Sequence, residues 1–200
     1  IPSNSFANNM QLFGLADCNN FYCSCERVFH PDLHNSPVVV LSNNDGCIIA
    51  RSEESKALGI KMGEVFYQVK DILEQNNVAV FSSNYNLYGD MSRRVMSLLS
   101  TYTPHLEIYS IDEAFLDLSD MGNADQLTTY CQTMVRDITK GTGIPISLGV
   151  APTKTLAKMA SKFAKKHKGY KGVCLIDTDE KREKALKLFP VEDVWGIGYR

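Results

Sequence analysis

Between residues 12 and 150 the hydrophobic spacing changes period in an order that admits few folds: strand, long insertion, helix, strand, strand, helix, strand. The apolar run Leu12-Phe13-Gly14-Leu15-Ala16 leads into Asp17 and predicts a buried strand. From residue 86, Tyr88, Met91, Val95 and Leu98/Leu99 recur every three or four residues, with Pro104 beyond the end, which predicts a helix. Segments 107–111 and 114–118 predict two short strands separated by Asp112-Glu113. A second amphipathic helix carries Leu127, Tyr130, Met134 and Ile138, with Asp125 as its N-cap and Gly141 at its end, and 146–150 predicts a further strand. This is the order of the split βαβ, ferredoxin-like unit, an α+β fold. In that topology the third strand lies between the first and second, antiparallel to both. The end of strand one then sits beside the start of strand three, and Asp17 meets Asp112-Glu113 from almost a hundred residues away.

The insertion has small elements of its own. Val38-Val39-Val40-Leu41 predicts a strand, Asn43-Asn44-Asp45-Gly46 a tight turn and 47–50 the returning strand. Residues 53–58 predict a helix, with Gly59 just past its end. Beyond the last strand of the unit, a lysine-rich helix starts near Pro152 and 173–176 predicts another strand. Hydrophobic residues at 44% and charged residues at 22% are those of an ordinary soluble globular protein. No apolar run approaches the ~20 residues of a membrane helix. The opening IPSNSFANNM lacks the plan of a signal peptide, and the initial Ile in place of Met points to a trimmed chain. A cytoplasmic protein is expected, with no membrane partner.

The cysteines at 18, 23, 25, 47, 131 and 174 contain no Cys-x-x-Cys pair, so they predict reduced thiols rather than a zinc site. His30 and His34 flank Pro31 and are read as loop histidines, not ligands. The net charge of −2 hides an asymmetry, because residues 154–187 hold 11 Lys/Arg against 4 Asp/Glu. One basic strip on an acidic chain points to a local phosphate site rather than to general adhesion to polyanions.

Three carboxylates at one sheet edge cannot all stay ionised without a compensating charge. A hard divalent cation such as Mg²⁺ suits all-oxygen ligands with positions left open for phosphates. Two such ions, ~3.5–4 Å apart, would activate a hydroxyl and stabilise a leaving pyrophosphate. Taken singly, each acid is an ordinary turn residue; their convergence makes Asp17, Asp112 and Glu113 the candidate catalytic group. Lys154, Lys158, Lys162 and Lys166 form one helical stripe, either a solvated face or a phosphate contact, with Lys158 favoured as the contact. Phe21 and Tyr22 read on their own as a core aromatic pair. Val194-Trp195-Gly196-Ile197-Gly198 is similar to the start of a helix-hairpin-helix, whose glycines let backbone amides approach a DNA phosphate.

The strings Asp17-Cys-Asn-Asn-Phe-Tyr22, Pro37-Val-Val-Val-Leu-Ser-Asn-Asn-Asp-Gly46, Ser82-Ser-Asn-Tyr85, Tyr109-Ser-Ile-Asp-Glu113 and Thr153-Lys-Thr-Leu-Ala-Lys158 closely resemble Y-family DNA polymerases, and within that family the UmuC type. The resemblance runs from about residue 12 to Arg200. It implies a ferredoxin-like polymerase palm at 10–22 and 83–173, an inserted fingers domain at 23–82, and a helical thumb that starts at 174 and is cut short at 200, with the family's little-finger domain absent. It implies Asp17, Asp112 and Glu113 as ligands of two Mg²⁺ ions, joined by the Cys18 backbone carbonyl. Tyr22 becomes the steric gate against ribonucleotides, reversing the core reading. Phe21, Tyr22, Lys56, Lys158 and Arg51 become nucleotide contacts, and Lys154, Gly196 and Gly198 DNA contacts. The family's Tyr and Arg grip on the triphosphate corresponds here to Glu53 and Lys56, a departure that removes the bidentate fork of an arginine.

The implied reaction is template-directed addition of deoxynucleotides to a primer 3′ end, tolerant of damaged templates and low in fidelity. Implied partners are primer–template DNA, deoxynucleoside triphosphates, the processed UmuD dimer and RecA. These 200 residues alone are expected to extend primers weakly or not at all. Two rivals remain: a non-catalytic nucleic-acid-binding module on a ferredoxin-like sheet, and a nucleotide cyclase on a similar palm.

Overall fold

The computed structural model describes residues 11–197, so Met10, Gly198 and the last two residues of the expected thumb lie outside the described residues. In chain order the elements are β1 (Phe13–Cys18), α1 (Phe21–Phe29), β2 (Val38–Leu41), β3 (Ile48–Arg51), α2 (Glu53–Ala57), α3 (Phe66–Gln75), β4 (Ala79–Phe81), α4 (Tyr85–Leu99), β5 (Leu106–Ile108), β6 (Glu113–Asp117), α5 (Ala124–Thr142), β7 (Ile146–Ala151), α6 (Lys154–Lys166), β8 (Val173–Leu175) and α7 (Asp179–Leu188). The chain divides into two compact units. Of the described residues, 11–18, 96–141 and 146–197 form one, and 19–95 with 142–145 form the other.

The first unit is built on a five-stranded sheet of order β5-β6-β1-β7-β8. Strand β6 lies between β1 and β5, antiparallel to both, and β7 pairs antiparallel with the other side of β1. That is the ferredoxin-like arrangement expected from the sequence, extended by β8 running parallel to β7. All six residues of β7 are buried, as expected of an interior strand covered on both faces. Helix α6 packs on one face through Ala157, Ala160 and Ala164, which share a core cluster with Leu15, Phe115, Cys174 and Ile176. The approach is close enough to require a glycine. A Cβ at Gly149 would lie 2.1 Å from the Ser161 nitrogen and 2.2 Å from the Ala157 oxygen. Ser161 Oγ also donates to the Ser147 carbonyl, pinning the helix to the strand.

Helix α5 buries Leu127, Cys131, Met134 and Ile138, one face at helical spacing. Its N-cap is Asn123 rather than Asp125. Asn123 Oδ1 accepts from the Gln126 N–H, and Gln126 Oε1 accepts from the Asn123 N–H, a reciprocal capping box with an Asn in the capping position. The helix also continues one residue past Gly141. Strand β5 stops at Ile108 instead of 111, and β6 already includes Glu113, so only Tyr109–Asp112 remain for the turn.

In the second unit the sheet order is β3-β2-β4, with β2 antiparallel to β3 and parallel to β4. Val39, Leu41, Ile48, Ile60, Val69, Leu73 and Val78 form its core. Ser52 caps α2 by accepting from the Ser55 N–H and also accepts from the Val38 N–H, while Ser55 Oγ donates to the Val38 carbonyl. These buried hydroxyls tie α2 to β2. Helix α1 was not predicted from the sequence. It buries Phe21, Cys23, Ser24, Cys25 and Glu26, and the Glu26 carboxylate accepts a 2.7 Å bond from Tyr88 Oη. No disulfide joins any of the six cysteines, and burial pushes the Cys23 and Cys131 thiols up to about 12.

Candidate functional site

In the first unit the register of β1 against β6 sets Asp17 directly opposite Glu113. Residues opposite one another in an antiparallel pair project to the same face, here the face that also carries Leu15 and Phe115. The Cys18 N–H donates to the Asp112 carbonyl at 2.9 Å, so the chain leaving β1 is tied to the chain entering β6. The turn is held by the Tyr109 and Ser110 N–H groups, which donate to the Glu113 carbonyl at 3.0 and 3.1 Å. Ser110 Oγ donates to Asp112 Oδ1 at 2.7 Å. Two segments far apart in sequence thus present three carboxylates at one end of one sheet.

Helix α6 crosses the same face and supplies the counter-charges. Lys158 Nζ lies 3.1 Å from Glu113 Oε1, with both side chains less than a fifth exposed, and Lys165 Nζ lies 3.8 Å from Asp17 Oδ1. Asp17 is 29% exposed, yet its carboxyl is pushed up to about 6. Burial is the main cause; Lys165 opposes it, and the neighbouring Asp112 and Glu113 charges reinforce it. Among the described residues no three His, Cys, Asp or Glu side chains are drawn together tightly enough to hold a metal as they stand. The donor set nevertheless suits a hard divalent cation. It is all oxygen, the Asp112 and Glu113 charges disfavour ionisation of Asp17, and two ammonium groups occupy the positions where positive charge is needed.

Lysine 158 is also enclosed by aromatic rings, 4.8 Å from the Tyr109 centroid and 5.0 Å from that of Trp195. Lys154 pairs with Glu107 at 2.5 Å and lies over Phe115, and Lys162 donates to the Asp193 carbonyl at 2.9 Å. Gly196 sits in an open turn at φ +85° with nothing near its Cα on the side-chain side. Gly198 lies outside the described residues. Cys18 is 3% exposed at the end of β1. Sequence reasoning missed Lys165, Ser110 and the rings around Lys158. The signal for Lys165 was present, because 158 and 165 are seven apart and share a helical face.

The other unit carries the remaining predicted residues. Tyr22, on the first turn of α1, stacks on Tyr88 with centroids 4.3 Å apart and planes at 17°, and meets Tyr85 edge-on at 6.1 Å. Phe21 is 4% exposed, whereas Tyr22 keeps part of its ring accessible. Lys56 Nζ lies 2.7 Å from both Glu53 Oε1 and Asn20 Oδ1, and Asn20 Nδ2 donates to the same Glu53 oxygen. Arg51 uses its guanidinium to donate to the Ile60 carbonyl at 2.7 Å, which makes it a structural clamp of this unit.

Comparison with known proteins extends the picture beyond geometry. The family model described as IMS, impB/mucB/samB, matches residues 16–162. Protein UmuC of Salmonella typhimurium strain LT2 is 49% identical, with the match covering 94% of this chain and 45% of that protein. Protein ImpB of Salmonella typhimurium is 48% identical with the same coverage, so the chain spans about half the length of the curated relatives it matches. Among solved structures, an insertion ternary complex of Dbh DNA polymerase superposes with a TM-score of 0.80 at 25% identity, over 94% of this chain and 54% of that one. The matched segment holds Asp17, Asp112, Glu113 and Lys158 together, and on that match the chain belongs to the impB/mucB/samB family.

Proposed function

We propose that this chain is the palm-and-fingers portion of a translesion DNA polymerase, adding deoxynucleotides to a primer 3′ end under direction of a template. One observation carries the reading. The β1–β6 register sets Asp17 opposite Glu113 while the Cys18 N–H grips the Asp112 carbonyl. A non-catalytic binding module has no need of this arrangement, which leaves Asp17 costly to ionise.

Asp17, Asp112, Glu113 and the Cys18 carbonyl would hold the divalent ions. Two Mg²⁺ ions bound there would polarise the primer hydroxyl and the phosphoryl oxygens. Asp17 and Glu113, paired here with Lys165 and Lys158, are the residues that would hold the cations, and Lys158 is the group that would supply positive charge to the triphosphate. Ser110 keeps Asp112 oriented throughout by its 2.7 Å bond. Tyr22, stiffened by its stack on Tyr88, acts as the gate against a 2′-hydroxyl. Phe21 supports that ring from the core. Lys56 is the phosphate contact of the fingers once it leaves Glu53, with Arg51 a lesser contributor. Lys154, Gly196 and Gly198 are the proposed contacts to the DNA backbone. The palm spans 10–22 and 83–173, the fingers 23–82 and the thumb starts at 174.

No helix among the described residues is long and apolar enough to cross a membrane. The reading places the enzyme in the cytoplasm, on primer–template DNA, with the processed UmuD dimer and RecA as partners; pull-down with each tests those two. The activity is tested by grafting these residues in place of the matching segment of a family relative and measuring primer extension. Extension that persists in Asp112→Ala would overturn the reading, as would a cyclic nucleotide product formed without template. Tyr22→Ala should raise ribonucleotide incorporation relative to deoxynucleotide incorporation, because the clash that rejects the 2′-hydroxyl is removed.

A further inference from the structure

Lysine 158 is held by more than Glu113. Its ammonium lies 4.8 Å from the Tyr109 ring and 5.0 Å from the Trp195 ring, the two rings meet at 87°, and Trp195 Nε1 donates to Tyr109 Oη at 3.2 Å. Tyr109 stands at the start of the turn that carries Asp112 and Glu113. Trp195 comes from the far end of the chain, beyond α7. The segment bearing Trp195 is itself fastened to α6 one turn further along, where Lys162 donates to the Asp193 carbonyl and lies 5.2 Å from the Phe189 ring. Glu113, Thr155, Lys158 and Trp195 line part of a small cavity of about 170 Å³ beside this group.

We infer that Tyr109 and Trp195 are positioning residues that form an aromatic seat, holding the Lys158 ammonium on Glu113 until a divalent cation displaces it. Two ring faces attract the cation and keep water from one side of the ion pair, so the pair is less screened than an open one. A metal arriving at Glu113 must compete with a seated lysine. After displacement the rings keep the ammonium beside the acid, close to where incoming phosphate would need charge. The inference rests on the metal-binding reading of the acids and assigns to that site a control that depends on a residue outside the acid-bearing strands.

The test measures Mn²⁺ affinity of this chain by calorimetry, with emission from Trp195, the protein's only tryptophan, as a second signal. Opening the seat with Trp195→Leu should tighten Mn²⁺ binding about three- to tenfold, the range expected from losing one partly desolvated cation–π contact. Trp195→Phe, which keeps a ring, should restore most of the parental affinity. In a Lys158→Met background the Trp195→Leu effect should vanish, because there is no ammonium left to seat. The same tightening in that background would show a merely structural role and overturn the inference, as would no change with Lys158 present. Proton NMR of the Lys158 ε-methylene gives a reading without metal. Ring currents should shift it upfield in the parent and less so in Trp195→Leu, where only the Tyr109 ring remains. An unshifted parent resonance sinks the seat. If Mn²⁺ fails to bind the parent while the upfield shift is present, the metal reading fails and the seat itself stands.

Discussion

In the five-stranded unit Lys158 reaches from α6 to Glu113 on β6 at 3.1 Å, whereas in the three-stranded unit Lys56 reaches Glu53, three residues back on its own helix, at 2.7 Å. The shorter pair is the more exposed one, with Glu53 68% accessible against 17% for Glu113. The local pair needs only one turn of helix, and exposed pairs of that kind contribute little. The cross-element pair needs β6, β7 and α6 docked correctly, and it lies beside Asp17, which burial makes costly to ionise. Distance alone therefore misranks the two. What matters is how much water each pair has lost and how much of the fold must form before the partners meet.

Four substitutions would break or sharpen that contrast. The largest effect is expected from Gly149→Val, whose side chain would drive α6 off β7 and separate Lys158 and Lys165 from the acids together. A loss of about 3 kcal/mol, the upper end for overpacking, should appear in urea unfolding, with loss of metal binding. If stability held, the close approach at Gly149 would not be what positions the lysines.

Asp17→Asn should act in the opposite direction. The folded carboxyl is raised to about 6 from an ordinary value of 3.8, so between those pH values the folded state holds the extra proton. This group's contribution to stability therefore falls as pH rises through that window, and the cost is complete above about pH 6. The Asn variant should be more stable than the parent at pH 7–8, by on the order of 1–3 kcal/mol. Its advantage should disappear below about pH 4. Mg²⁺ should stabilise the parent at pH 7 and the variant much less. An Asn variant that is less stable than the parent at pH 7 would mean that the Lys165 pair outweighs burial.

Lys158→Met leaves the largely buried Glu113 carboxylate without its cation and should cost about 1 kcal/mol, within the range for a stranded polar group. Lys56→Met, its counterpart on α2, should change stability by less than about 0.5 kcal/mol. Thermal melts of the two variants side by side decide the comparison, and equal losses would erase the distinction between local and cross-element pairs.

The elements read most easily from the sequence were those with one clear period. The faces of α4 and α5, the run of β2 and the order of strands around Asp112-Glu113 all follow from spacing. Helix α1 was not legible. It is short, rich in Phe, Tyr and Cys, which are mediocre helix formers, and it starts from Asn20 in the left-handed region with no side-chain cap. Packing of its buried face forms it, and that face includes the polar Ser24 and Glu26 beside Phe21, Cys23 and Cys25. Helix α3 and strand β4 were missed for a similar reason, the strand having only three residues to display a pattern. The N-cap of α5 was misplaced by two because Asp125 is as good a capping residue as Asn123; only the reciprocal bond with Gln126 separates them.

By itself the sequence determined the strand order that brings Asp17 beside Asp112 and Glu113, since alternation and helical spacing are local and the split βαβ topology leaves little choice. Only the tertiary structure decided which lysines answer those acids and which rings surround Lys158. Those partners come from α6 and from the segment after α7, and no local period encodes their meeting. It depends on how closely a helix can approach a strand at Gly149, a matter of volume rather than pattern.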